Sequence, residues 1–341
     1  MPQNHQANSG GLPGAEPSPQ AERDTASERF HIRIATRTSA LALWQAEYVA
    51  ARLRDLPQQP VVELVRVTTT GDQNQTDALR QFGGTGVFTR EVQKAVLDGR
   101  ADVAVHSLKD LPTESTAGMV LAAVPARAPR CDAMLLPHTA APLNSILDLP
   151  PGASVGTGSP RRQAQLRLHR PDLRVLEIRG NIDTRLRKLD EGQYDAILLA
   201  EAGLDRLGLA QRISVRLCPP DFYPAVSQGA LGIECRDDDA ATRSLLAHLT
   251  CSRTLAESLA ERALLRALRA GCHAPLGVWT EAIPAGISLT GILLSTDGAT
   301  CVRQSATGDA EAPEELGQHV AQLLLECGGA ALLTNRADES G

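Results

Sequence analysis

Residues 30–53 read FHIRIATRTSALALWQAEYVAARL, and this stretch decides the fold. Phe30-His31-Ile32-Arg33-Ile34 alternates apolar and polar side chains, the period of a strand with one buried face. Ser39 then stands where a helix needs an N-cap, and Ala40 to Leu53 continues as an amphipathic helix. Strand followed by helix recurs downstream. Val61 to Val67 reads as a strand, Phe88 to Leu97 as a helix with Phe88, Val92 and Val96 on one face, and Asp102 to His106 as a buried strand. Further strands are expected at Met119 to Val124, Ala133 to Leu136, Ser154 to Gly156, Leu173 to Ile178 and Ala196 to Ala200, with helices at Ser159 to His169 and Asn181 to Leu189. This alternation predicts an α/β fold with largely parallel sheets covered on both faces, and ligands in such folds collect at the carboxyl ends of the strands.

A chain of 341 residues fits two or three domains at ~100–200 residues each. Aromatics make up only 3%, so the cores must be packed from Leu, Val, Ile and Ala. Met1 to about Ser27 is rich in Gly, Pro, Gln, Ala, Ser and Glu with almost no large apolar side chain, and reads as a disordered tail. Proline-bearing stretches near Pro125 to Pro129 and Pro219 to Ser227 mark candidate boundaries. The last third opens with helical patterns at Asp238 to Leu249 and Ser252 to Ala270, continues with strand-like pieces from Gly286 to Leu294, and ends in a helix at Pro313 to Cys327.

Seven scattered cysteines show neither a disulfide framework nor paired metal spacing, which points to the cytoplasm and to no metal. No run approaches the ~18 apolar residues of a membrane span, and the N-terminus lacks a secretory pattern. A soluble protein with no membrane partner is expected. The net charge of −6 argues against nucleic acid, so any anion site must be a local arginine cluster working against the overall field.

Such clusters follow three expected strands: Thr36-Arg37-Thr38-Ser39, Gly156-Thr157-Gly158-Ser159-Pro160-Arg161-Arg162, and Arg179-Gly180-Asn181 with Arg185 beyond. Ser159 as N-cap and Pro160 at the first helical position leave backbone N–H groups open, and two arginines offer bidentate forks to carboxylates or phosphates. Each loop alone also fits a capped helix with solvated arginines. Three together predict a cleft for a polyanion. Val105-His106-Ser107-Leu108-Lys109-Asp110 brings a carboxylate to the same rim, able to hold a cationic nitrogen or pass a proton, although a Lys109-Asp110 surface turn is the commoner reading of that motif alone. His106 reads as a packed strand residue.

Leu268-Arg269-Ala270-Gly271-Cys272-His273-Ala274-Pro275 places one thiol on a turn of small residues after a helix, with Gly271 expected to take the positive φ at the helix end. A small buried apolar cysteine and a reactive one both fit that loop alone. The glycine-rich Phe82 to Phe88 segment lacks the Gly-Lys-Ser/Thr ending of a P-loop.

These motifs together resemble the porphobilinogen deaminase, or hydroxymethylbilane synthase, family: IRIATRTSALALWQA, TTTGD, DVAVHSLKDLPT, VGTGSPRRQAQL, IRGNIDTRL, YDAILLAEAGLDRLG, PAVSQGALGIE and AGCHAPLG. The resemblance implies three α/β domains. The first two, at 29–126 with 229–248 and at 127–228, would resemble periplasmic binding proteins with mixed, mainly parallel sheets around a cleft. The third, at 249–341, would be small and carry the cofactor cysteine, with the tail at 1–28 outside the resemblance. It further implies a dipyrromethane cofactor held by Cys272 through a thioether, onto which four porphobilinogen molecules condense with loss of ammonia before hydrolysis releases linear hydroxymethylbilane.

Residue by residue, the resemblance gives Asp110 the catalytic role. Lys109, Ser107, Thr157, Ser159, Arg161, Arg162, Arg185 and Arg206 would bind the cofactor, and Arg37, Ser39, Arg179 and Gln228 the substrate. It also implies a monomer. Gln81 and Thr85 stand where many relatives carry lysines, with Arg80 nearby, and Ala270 replaces a glycine common before the cofactor cysteine. A non-catalytic two-lobed anion binder would share the first two domains but has no use for a tethered thiol. A cysteine hydrolase would need a histidine base, and His273 is adjacent in sequence, which rarely provides the geometry.

Overall fold

The strand at His31–Arg37 (β1) and the helix at Ala40–Arg54 (α1) form where the opening pattern places them, with the Ser39 hydroxyl accepting from the Ala42 amide. The computed structural model describes residues 30–67, 89–269 and 274–334. Phe88, Gln81, Thr85, Arg80, Ala270, Gly271, Cys272 and His273 lie outside the described residues, as does the tail expected to be disordered.

Two mixed five-stranded sheets and a three-stranded antiparallel sheet organise the chain. The first runs β2 (Val61–Val67), β1, β3 (Val103–Ser107), β10 (Leu231–Arg236), β4 (Met119–Ala123). The second runs β7 (Arg174–Leu176), β6 (Ser154–Gly156), β8 (Ala196–Ala200), β5 (Asp132–Leu135), β9 (Val215–Leu217). Apolar side chains of β1, β3 and β10, including Ile32, Ile34, Val103 and Ile233, meet α1 in a core of near-zero exposure. Met134, Val155, Leu166, Leu198 and Phe222 form the equivalent core on one face of the second sheet.

Of the eight pairs in these two sheets, four are parallel and four antiparallel, so they are less parallel than the β/α alternation predicts. The physical reason lies in the two segments that cross between the sheets, 124–131 and 218–230. β5 follows one and β10 the other, so each enters against its neighbours without a helical crossover. The crossings are bonded together: Ala128 N–H donates to Gly229 O at 3.1 Å and Arg127 Nε to Gln228 O at 2.8 Å. Gly229 has φ +88°, and a Cβ there would sit 2.5 Å from Ala128 O, so this close approach requires glycine.

The third sheet, β11 (Leu276–Ile283), β12 (Gly286–Leu294) and β13 (Cys301–Gly308), packs on helices at Ser252–Ala267 and Pro313–Leu324. The first of these helices stops at Ala267 and Arg269 after it has a positive φ of 49°, while Gly271, expected to take the positive φ, lies outside the described residues. Glu261 in this helix binds Arg127 through both carboxylate oxygens at 2.9 Å, accepts from Ser227 N–H at 2.6 Å and bonds Thr280 Oγ1. One buried carboxylate therefore ties both crossing segments to the third domain. The cysteines also depart from expectation: Cys131 and Cys218, 87 residues apart in sequence, form a disulfide. Pairing of β5 with β9 brings them together, which sequence spacing alone does not display.

Candidate active site

Loops after β1 and β3 face those after β6, β7 and β8 across a cavity of about 400 Å³, the size of a small-molecule site. Arg37 and Ser39 come from the end of β1. Ser107, Lys109 and Asp110 come from the end of β3, where Leu108 is fully buried and its N–H donates to Ala230 O at 3.0 Å, fixing the turn that presents its neighbours. Arg162 lies in the first turn of the helix at Pro160–His169. Arg179, Gly180, Asn181 and Arg185 follow β7, and Arg206 ends the short helix at Glu201–Arg206. The cavity thus lies at the carboxyl ends of strands from both sheets, where ligands collect in such folds.

The cations of this wall differ in what neutralises them. Arg162 donates to Asp132 Oδ1 at 2.7 and 3.0 Å and to Leu198 O at 2.9 Å, while Arg161 donates to Asp132 Oδ2 and Tyr223 O, each at 2.6 Å. This corrects the expectation of two open forks, because both guanidiniums are buried and engaged by one fully buried carboxylate. Burial alone would push the Asp132 carboxyl up, but the two guanidiniums reverse that and hold it far below the usual carboxylate range. Arg179 is paired with Glu177 at 2.5 Å in a partly exposed contact.

Lys109, Arg185 and Arg206 have no carboxylate within ion-pairing distance among the described residues. Lys109 Nζ donates to Gln228 Oε1 at 3.5 Å, Arg185 Nε to Gly180 O at 2.8 Å and Arg206 Nη2 to Gly229 O at 2.7 Å. The Lys109 side chain keeps part of its surface open, yet the protein packed around it lowers its ammonium to about 8, against the pull of Asp110. Burial brings both Arg185 and Arg206 down to about 10. Crowded cations that are easier to deprotonate than usual are sites short of negative charge. Asp110 lies exposed beside them on the cavity wall.

Thr157, Ser159, Arg161 and Gln228 do not line the cavity. Thr157 is fully buried, with its Oγ1 accepting from Ser159 N–H at 3.3 Å, and Ser159 occupies the N-cap position without a side-chain capping bond. Gln228 is also buried and links the site internally, donating to Asp132 Oδ1 at 2.9 Å and Arg130 O at 2.8 Å. Cys272 lies outside the described residues. Two contributors went unread in the sequence. Asp132 follows a proline-bearing stretch with no chemical motif, while Gln45, whose Nε2 donates to Ser107 Oγ at 2.7 Å, looked like one more polar residue of an amphipathic helix.

A family model described as porphobilinogen deaminase, dipyromethane cofactor binding domain, matches residues 32–244, and one described as porphobilinogen deaminase, C-terminal domain, matches residues 255–326. The chain belongs to the porphobilinogen deaminase family. A porphobilinogen deaminase of Xanthomonas euvesicatoria pv. vesicatoria (strain 85-10) is 49% identical over 302 residues, 89% of this chain and 98% of the relative. That of Stenotrophomonas maltophilia (strain R551-3) is 47% identical over 303 residues, covering 89% and 98%. That of Chromobacterium violaceum is 45% identical over 302 residues, covering 89% and 96%. A dipyrromethane carries acetate and propionate carboxylates on two rings, and the cluster of Lys109, Arg185 and Arg206, without carboxylate partners among the described residues, fits that donor set.

Proposed function

We propose that the cavity is where this enzyme, a transferase of the porphobilinogen deaminase family, condenses four porphobilinogen molecules head to tail, with loss of ammonia, and releases linear hydroxymethylbilane. The observation that carries this reading is Asp110 exposed on a wall shared with Lys109, Arg185 and Arg206. When bound through Cys272, the dipyrromethane supplies a pyrrole carbon as nucleophile and an anchor for the growing chain. Lys109, Arg185 and Arg206 bind carboxylates of cofactor and chain. Arg37 and Ser39, with Arg179 once it exchanges Glu177 for ligand, take those of the incoming substrate. Such an exchange costs little for a partly exposed pair.

The Asp110 carboxylate accepts hydrogen bonds from pyrrole N–H groups, stabilises the positive charge that develops there and carries a proton at its oxygens for the departing amine. Ser107, held by Gln45, and Thr157, Ser159, Arg161, Arg162 and Gln228 keep the cationic wall in place. A non-catalytic anion binder would share this cleft. Steady-state turnover of Asp110→Ala separates the two: the variant is expected to fold and keep its cofactor but lose nearly all activity, whereas wild-type turnover would remove Asp110 from the mechanism.

The enzyme is further proposed to act as a monomer in the cytoplasm, without nucleic-acid or membrane partners. The net charge of −6 disfavours nucleic acid. Fractionation and sedimentation test both points.

A further inference from the structure

Cys131 immediately precedes β5 and Cys218 immediately follows β9, so their bridge extends the Asp132–Leu217 register of that antiparallel pair by one position, with the two Cα atoms 5.0 Å apart. β9 is the edge of its sheet, and Cys218 is partly exposed while Cys131 is buried. A thiolate arriving from solvent therefore meets the Cys218 sulfur first. The bridge also sits where both crossing segments join the second sheet, outside the cavity wall.

The residues beside the bridge connect it to the cleft. The residue after Cys131 is Asp132, the carboxylate that holds Arg161, Arg162 and Gln228, and Gln228 in turn accepts from Lys109. The Cys131 carbonyl itself accepts from Gln228 Nε2 at 3.3 Å and from Glu201 N–H at 3.1 Å. Pinning this backbone pins the carboxylate that holds Arg162 and, through Gln228, positions Lys109.

We propose that Cys131 and Cys218 form a reversible thiol–disulfide site that exchanges with small-molecule thiols and disulfides and sets the affinity of the cleft for its carboxylate substrate. In the reducing direction a thiolate attacks Cys218 Sγ, the Cys218–Cys131 bond breaks, and Cys131 leaves as a thiolate that takes a proton from water. A second thiol then attacks the mixed disulfide at the reductant's sulfur, and Cys218 departs and is protonated. Two electrons pass to the protein and the reductant becomes its own disulfide; a small disulfide reverses each step. Once reduced, the end of β5 is no longer tethered to β9, and Asp132 loses its fixed position beneath Arg161 and Arg162.

The cofactor-loaded enzyme, equilibrated with reduced and oxidised glutathione at graded ratios, tests this. Differential alkylation with peptide mass analysis reads the Cys131–Cys218 state, and initial rates give KM and kcat for porphobilinogen. The pair is expected to convert fully and reversibly, with KM rising about fivefold or more on reduction, the lower end of ordinary site-to-site coupling, and kcat unchanged. A Cys131→Ser/Cys218→Ser double variant should show the reduced-form KM at every ratio. Overturning results would be a bridge that never exchanges, conversion with KM unchanged or lowered, or a double variant that still responds, since Cys235, Cys251, Cys301 and Cys327 are the other described thiols.

Discussion

Burial lowers the ammonium of Lys109 to about 8, so the charge it offers a carboxylate of the cofactor or growing chain is present below that pH and lost as pH rises through it. The rate of chain elongation is therefore expected to fall above pH about 8, and Lys109→Arg, which keeps its charge, should move that limb upward. An alkaline limb unmoved in Lys109→Arg would assign it to another group. Lys109 and Asp110 were legible in the sequence because the apolar run Val103 to Val105 fixes a buried strand, and the next polar residues must then emerge at its carboxyl end. Arg161 misled for a related reason. Adjacent arginines at a helix start advertise an anion site, but the anion that engages both is Asp132 of the protein itself, about 30 residues away in sequence.

At the scale of elements, that carboxylate joins β5 to the helix at Pro160–His169. Asp132→Asn leaves two buried guanidiniums without their counter-charge, and breaking such a buried pair costs about 3–5 kcal/mol, measurable by denaturant unfolding. The folded carboxyl of Asp132 ionises far below its ordinary value of 3.8, so its contribution is complete above that pH and declines as pH falls below it. Wild type should lose stability on acidification more steeply than Asp132→Asn. Gly229→Ala should destabilise by about 1–3 kcal/mol from its backbone conformation alone, with the clash against Ala128 O adding to that. Helices and strands with strong periodicity were readable to within a few residues. β9, β10, β11 and β13 were not: β9 has three residues, β10 and the first half of β11 are buried on both faces, and β13 alternates only between exposed and half-exposed positions with few apolar side chains.

For the molecule as a whole, Glu261 fastens the two crossing segments to the helix that leads toward Cys272. Glu261→Gln should weaken the bidentate contact with Arg127 and lower the unfolding midpoint of the entire chain. Separate transitions for the third domain in wild type would contradict that coupling. A cofactor tethered at Cys272, with its carboxylates gripped by cations from two sheets, is the central requirement of this mechanism. Intact mass spectrometry of the purified enzyme tests it most directly. The mass should exceed that of the polypeptide by one dipyrromethane, with the increment absent from Cys272→Ala, whereas an active enzyme weighing no more than its amino acids would contradict the account.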